Sequence, residues 1–167
     1  TFEVLSAGHT FAVFQLGYSG MTRYLKELKP SNIFDLSALI ALYRPGPLQF
    51  IPEYIARKHN PSLIKYLDPA LERILKRTYG VLVYQDDLLV IAHDLAGYTW
   101  EEVDKFRKAV GKKDPEVMAK QKEKFVEGCV NTSGWSMQKA NEIWSWIEPF
   151  AAYGFNKSHS ASYAVVS

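Results

Sequence analysis

The chain has four histidines, His9, His59, His93 and His159, and none has a second ligand at metal-binding spacing. Cys129 is the single cysteine and has no CxxC neighbour, so the sequence holds neither a redox pair nor a thiolate metal set. Adjacent carboxylates occur at Asp86-Asp87 and Glu101-Glu102. Neighbouring side chains on a helix diverge, however, and seldom share one ion. Glu101 and Glu102 are explained as first-turn charges that suit a helix dipole. There is no GxxxxGK(S/T) and no GxSxG run. No catalytic residue and no metal ligand set is assigned.

The chemistry that the residues do offer is anion binding. From Lys105 to Lys124 there are eight basic residues (Lys105, Arg107, Lys108, Lys112, Lys113, Lys120, Lys122 and Lys124) against three acids, in a chain whose net charge is only +2. Lys105, Lys108 and Lys112 are spaced to form one stripe on a helix. Arg can grip phosphate with a fork and Lys with a mobile point charge. A solvated helix face and a phosphate-binding stripe are both open at this point. A second concentration lies in Asn156-Lys157-Ser158-His159, where hydrogen-bonding groups and one positive charge open a helix. Anions bind well at such ends, although a plain cap with a solvated Lys reads equally from these residues.

The elements that must position these groups are mostly helical. Tyr18 to Lys29 carries Met21, Leu25 and Leu28 at helical spacing and ends at Pro30. Ser31 or Asn32 caps a helix with Ile33, Leu36, Leu39, Ile40 and Tyr43 on one face, stopped at Pro45-Gly46-Pro47. Further helices are expected over Phe50–Lys58, Pro69–Lys76 and Asp86–Ala96, with a short β element at Tyr79–Tyr84. Thr99 and Glu102 form a capping box for a helix through Val103, Phe106 and Val110. Helices from Pro115 to about Val130 and from Ser136 to Ala151 follow, the latter burying Ile143, Trp144, Ile147 and Phe150. Trp100 is also expected in the core. The last helix is capped by Ser158 or Ser160, with Ala161, Tyr163, Ala164 and Val165 on its buried side. The fold class is predominantly α.

An apolar fraction of 47% with 23% charged residues describes a globular chain, not a disordered one. No apolar run approaches membrane-spanning length, and no secretory signal opens the chain, so no membrane partner is expected. A lone cysteine suits a reducing, cytoplasmic compartment. The missing initiator Met and the last helix, which stops after about seven apolar-patterned residues, give the expectation that both ends are cuts in a longer chain.

The run YGFNKSHSASYAVVS (Tyr153 to Ser167) strongly resembles the YGFNKSHSAAYA motif of bacterial C-family replicative DNA polymerases. In the family's usual order, ALYRPGPL (Ala41 to Leu48), TYGVLVYQDD (Thr78 to Asp87), LAGYT (Leu95 to Thr99), FRKAVGKK (Phe106 to Lys113) and FVEGCV (Phe125 to Val130) resemble further blocks. VFQL followed by SGM, between Val13 and Met21, resembles its lead-in to the fingers. Together these cover nearly the whole chain.

The resemblance implies a multi-helix fingers domain over residues 18–167, truncated in its C-terminal helix, with 1–17 as the end of the palm or a lead-in segment. It implies dNTP and template-primer DNA as partners, beside the palm of the same polypeptide, the sliding clamp and other replisome subunits. Two Mg²⁺ ions would be held by palm aspartates, and no such cluster stands in this chain, so the segment alone is expected to be inactive. Mapped by motif, Arg107, Lys108, Asn156, Lys157 and His159 are nucleotide-binding candidates, with His159 set to pack on base or sugar. Arg44, Lys105, Lys112, Lys113, Tyr153 and Ser158 are candidate phosphate or DNA contacts. Lys108 replaces the second Arg of the usual pair, Gly17-Tyr18 replace a common Glu-Ser, and Asp86-Asp87 replace a common Glu-Gln. The alternative is a non-catalytic helical module derived from that family that binds nucleic acid or a partner.

Overall fold

Prolines and polar caps cut the chain into short helices. The computed structural model describes residues 1–112, 114–151 and 154–167, and for 149–151 the backbone only. Lys113, Tyr153 and the Phe150 side chain therefore lie outside the described residues. Ten α-helices are described: α1 (Phe2–Ser6), α2 (Ser19–Leu28), α3 (Ile33–Leu42), α4 (Ile51–His59), α5 (Pro69–Leu75), α6 (Gln85–Asp94), α7 (Trp100–Gly111), α8 (Pro115–Ser133), α9 (Met137–Ala151) and α10 (Lys157–Val166). Asn32, Asp68, Thr99, Asp114 and Asn156 each accept a backbone N–H of the helix that follows, which relieves the orphan donors of its first turn. The Thr99–Glu102 capping box is present in both directions.

The helices pack around two clusters. Helix α3 is the axis of the first, buried from Asp35 through Leu42, with α1, α2, α4 and α10 around it. The second gathers α5 to α9 around Phe106, Phe125 and Trp144, whose rings lie 5.6–6.3 Å apart. Ile143, Trp144 and Ile147 are buried as their spacing predicts. Residues 81–84 run extended between the clusters. Val81 and Val83 enter the first core and Leu82, between them, the second, which is the two-residue period of an extended chain; Tyr84 breaks the alternation and also joins the first core. The short β element is a single parallel bridge between Tyr84 and Phe155, and no sheet occurs among the described residues. None of the described helices is long and apolar enough to cross a membrane.

Three expectations are corrected. Trp100 is 60% exposed. It opens α7 beyond the edge of the core, where its ring stacks on His93 with centroids 4.1 Å apart. The cap of α10 is Asn156, whose Oδ1 accepts from the His159 N–H at 3.1 Å. With the cap moved to Asn156, Ser160 and Ala164 face the core, Tyr163 is half-buried, and Ala161 and Val165 are exposed.

Candidate functional site

Helix α10 seats on α3 through small residues. Ser37, Ala38 and Ala41 on α3 and Ser160 and Ala164 on α10 are all buried. The buried hydroxyls satisfy one another: Ser37 and Ser160 are 2.8 Å apart, Tyr84 Oη donates to Ser37 Oγ at 3.0 Å, and Ser160 Oγ donates to the Lys157 carbonyl at 3.0 Å. A satisfied polar network fixes one register, because any slip would strand a buried hydroxyl.

This seating lines up Phe155, His159 and Tyr163, four residues apart, as one aromatic wall. Ring centroids are 5.2 Å apart for Phe155–His159 and 4.3 Å for His159–Tyr163, and Phe14 extends the wall at 5.3 Å from Tyr163. Arg44 closes the other end, its guanidinium 3.8 Å from the Phe155 ring centroid. Arg44 Nε is buried without a hydrogen-bond partner among the described residues, and burial lowers the guanidinium's pKa. The wall faces an open cleft of about 650 Å³ whose opposite side includes Tyr18, Ser19, Gly20 and Tyr43. A Cβ on Gly20 would fall 2.2 Å from Tyr43 Oη, so glycine is what lets that ring approach the start of α2.

Lys157 lies on the other side of the α10 N-terminus. Its amide donates to Asp86 Oδ2 at 2.8 Å, and its Nζ lies 3.3 Å from Asp87 Oδ1 and 5.1 Å from the Tyr84 ring centroid. The helix end that the sequence marks as an anion site already faces an internal carboxylate. Burial pushes the Asp87 carboxyl up to about 6, against the pull of Lys157. Asn156 and Ser158 are exposed and bond to each other, Ser158 Oγ donating to Asn156 Oδ1.

The basic stripe of α7 has partners. Lys105 pairs with Glu101 at 2.7 Å, while Arg107 and Lys108 both pair with Asp104, at 2.9 and 2.6 Å. Lys124 of α8 reaches Glu102 at 2.7 Å. The acids that answer the stripe lie just before it, so 101–124 holds eight bases against six acids. The carboxyls of Glu101, Glu102 and Asp104 are drawn below their ordinary values by these cations. Exposed pairs of this kind exchange readily for other anions, since each contributes little. Lys112 is exposed at the α7 C-cap. The described structure thus gathers Arg44 with His159, sets Lys157 nearby on Asp87, and places Arg107, Lys108 and Lys105 on a helix of the other cluster.

Sequence reading missed Phe155, Tyr18 and Tyr43 as cleft residues and Asp86 and Asp87 as partners of Lys157. The four-residue spacing of Phe155, His159 and Tyr163 was a visible signal for the wall. The Mg²⁺ that the resemblance implies finds no fit here: Asp86 and Asp87 are committed to Lys157, and among the described residues no three His, Cys, Asp or Glu side chains gather around an ion-sized space.

Fold and site together define a helical domain with a cation-ended aromatic cleft. The sequence profile of the bacterial DNA polymerase III alpha subunit finger domain matches residues 1–133. The chain is 48% identical over 165 residues to the DNA polymerase III subunit alpha of Xylella fastidiosa (strain Temecula1), covering 99% of this chain and 14% of that one. It is 45% identical over 168 residues to that of Aquifex aeolicus, with 99% and 14% covered. The Bacillus subtilis protein of the same name is 45% identical over 166 residues, with 99% and 15% covered. The chain belongs to the bacterial DNA polymerase III alpha subunit finger domain family. It spans about one seventh of the length of these relatives.

Proposed function

We propose that this segment binds the incoming dNTP and helps to position template-primer DNA for a replicative DNA polymerase working in the cytoplasm. The observation that carries the reading is the aromatic wall of Phe155, His159 and Tyr163 ending on Arg44, whose Nε is buried without a partner among the described residues. Aromatic rings that line a cleft accept the face of a base or sugar whatever its sequence, and an arginine at the end of such a wall suits a phosphate. Lys157, Asn156 and Ser158 stand at the adjoining helix end. Arg107, Lys108, Lys105 and Lys112, with Lys113 beside them in sequence, are offered as a second phosphate surface that gives up its intrahelical pairs when DNA or triphosphate arrives. Mg²⁺ and the metal-held chemistry are assigned to palm carboxylates elsewhere in the polymerase, which also carries the contacts to the sliding clamp and other replisome subunits.

The test is steady-state primer extension by the polymerase that carries this segment, with Arg44→Ala and Lys157→Ala variants. Each lost charge-assisted contact contributes roughly 1.5–3 kcal/mol, so KM for dNTP is expected to rise about tenfold or more with the fold retained. An unchanged dNTP dependence in both variants would overturn the reading. Template-dependent synthesis by the segment alone would overturn the assignment of the metal chemistry elsewhere.

A further inference from the structure

We infer that Asp87 is a positioning residue for Lys157: an internal counter-ion that holds the ammonium against α6 and that an incoming polyphosphate displaces, with a proton taken up by Asp87 as Lys157 leaves. The inference rests on the nucleotide reading above and deepens it, naming the residue that sets when Lys157 is available.

The geometry is that of an occupied anion site. Lys157 is the first residue of α10, and it offers a phosphate two donors, its backbone N–H and its ammonium. Both are taken by consecutive carboxylates of α6, the N–H by Asp86 Oδ2 at 2.8 Å and the ammonium by Asp87 Oδ1 at 3.3 Å. Neighbouring side chains on a helix diverge, yet these two meet one residue because one reaches its backbone and the other its side chain.

The two partners are unequal. The Asp87 side chain is 6% exposed and that of Lys157 is 39% exposed. Asp87 Oδ2 is buried with no hydrogen-bond partner among the described residues. A buried carboxylate left half-satisfied gains from either another donor or a proton. Lys157, on a flexible stem with three donors, can turn to a ligand from the solvent side without moving the helix. Among the described residues, the charged or titratable groups acting on Asp87 are Lys157 from α10, Asp86 beside it on α6 and the Tyr84 phenol, which burial and the Asp87 charge push up, and Tyr84 also contributes a backbone hydrogen bond. Once Lys157 turns away, the negative charge of Asp86 and the burial of the site both favour the neutral acid. Burial already holds the Asp87 carboxyl near about 6 with Lys157 present. Losing the cation moves it upward, so polyphosphate binding near neutral pH draws a proton onto Asp87. By linkage the same binding tightens as pH falls.

The experiment titrates inorganic tripolyphosphate into the polymerase that carries this segment, calorimetrically at pH 6–8. Two buffers of different ionisation enthalpy count the protons, and wild type is compared with Asp87→Asn, Asp87→Ser and Lys157→Met. Acylation of the Lys157 amine without ligand is followed by mass spectrometry in parallel. The phosphate's own titration is common to all four proteins and cancels in the comparison. Both Asp87 variants are expected to acylate at Lys157 about fivefold faster and to bind tripolyphosphate about fivefold tighter at pH 7.5, the equivalent of one partly exposed ion pair. Their extra proton uptake disappears. Equal Lys157 reactivity, or a wild-type proton count in the Asp87 variants, would overturn the proposal alone. Binding that survives unchanged in Lys157→Met overturns it while leaving the Arg44 cleft standing. No binding by any of the four proteins overturns the nucleotide reading and the proposal with it.

Discussion

Replacing Lys58 by Met attacks the tie that holds α3, the seat of α10, to its neighbours. Lys58 and Asp35 form an ion pair at 3.1 Å with side chains only 9% and 1% exposed. Lys58 Nζ also donates to the carbonyls of Leu28 and Lys29 at the end of α2, while Asp35 accepts from Ser31, Asn32 and Tyr79. One cation thus joins α2, α3 and α4. Methionine keeps the length of the chain and removes the charge. An uncompensated buried charge costs about 3–5 kcal/mol. A lost donor to the α2 carbonyls adds about 1 kcal/mol. The expected loss of about 4–6 kcal/mol is a large part of the 5–15 kcal/mol that typical domains possess. Urea unfolding followed by circular dichroism gives the midpoint and slope for wild type, Lys58→Met, Asp35→Asn and the double variant. The double variant is expected to lose clearly less than the sum, because Asp35→Asn removes the charge that Lys58→Met strands. A loss under about 1 kcal/mol for Lys58→Met, or strict additivity of the two substitutions, would refute the tie.

Further perturbations probe other parts of the molecule. Gly128→Ala places a Cβ 2.2 Å from the Ala96 carbonyl oxygen, so α8 must shift; a loss of about 1–3 kcal/mol is expected, and an unchanged melting temperature would contradict that approach. Ser160→Leu drives a large side chain into the fully buried contact with Ser37, and both stability and dNTP affinity of the polymerase should fall; loss of neither would place α10 elsewhere. Asp87 titrates near about 6 in the fold against an ordinary 3.8, so the native state binds more protons between those values. Stability from this group therefore rises as pH falls through 6 toward 4, and Asp87→Asn should be the more stable protein at pH 7 by up to about 3 kcal/mol, with the advantage vanishing near pH 4. A variant whose stability parallels wild type at every pH would show that the carboxyl is not held out of water.

How much was legible in the residues varied with range. Several helix limits were, because the forces that set them act within a turn: Pro30 after α2, the Thr99–Glu102 box before α7 and Pro115 at the start of α8, whereas the start of α10 was set two residues or more too late. The buried stripes of α7 and α9 followed from the 3.6-residue period. The sequence blocks were also sufficient for the family, since their order and identity survive without any coordinates. Local rules misjudged charge and edges. Reading the basic run from Lys105 omitted Glu101 and Asp104, one turn earlier, which pair with Lys105, Arg107 and Lys108. Trp100 shares the periodic face of Val103, yet as the first residue of α7 it is exposed.

The site itself needed the fold. Ser37 and Ser160 are 123 residues apart, and Lys157 and Asp86 are 71 apart, so no spacing rule connects either pair. Whether Lys157 meets solvent, a phosphate or a carboxylate depends on how α10 is set against α3 and α6. That setting is decided by small buried residues and a closed hydroxyl network. Local sequence determines where a helix begins and which face is apolar, because both are fixed by neighbours within one turn. Which distant groups meet, and how much water reaches them, is decided only when the helices pack. Burial of the Asp87 carboxyl and the placing of Arg44 over Phe155 belong to that second kind.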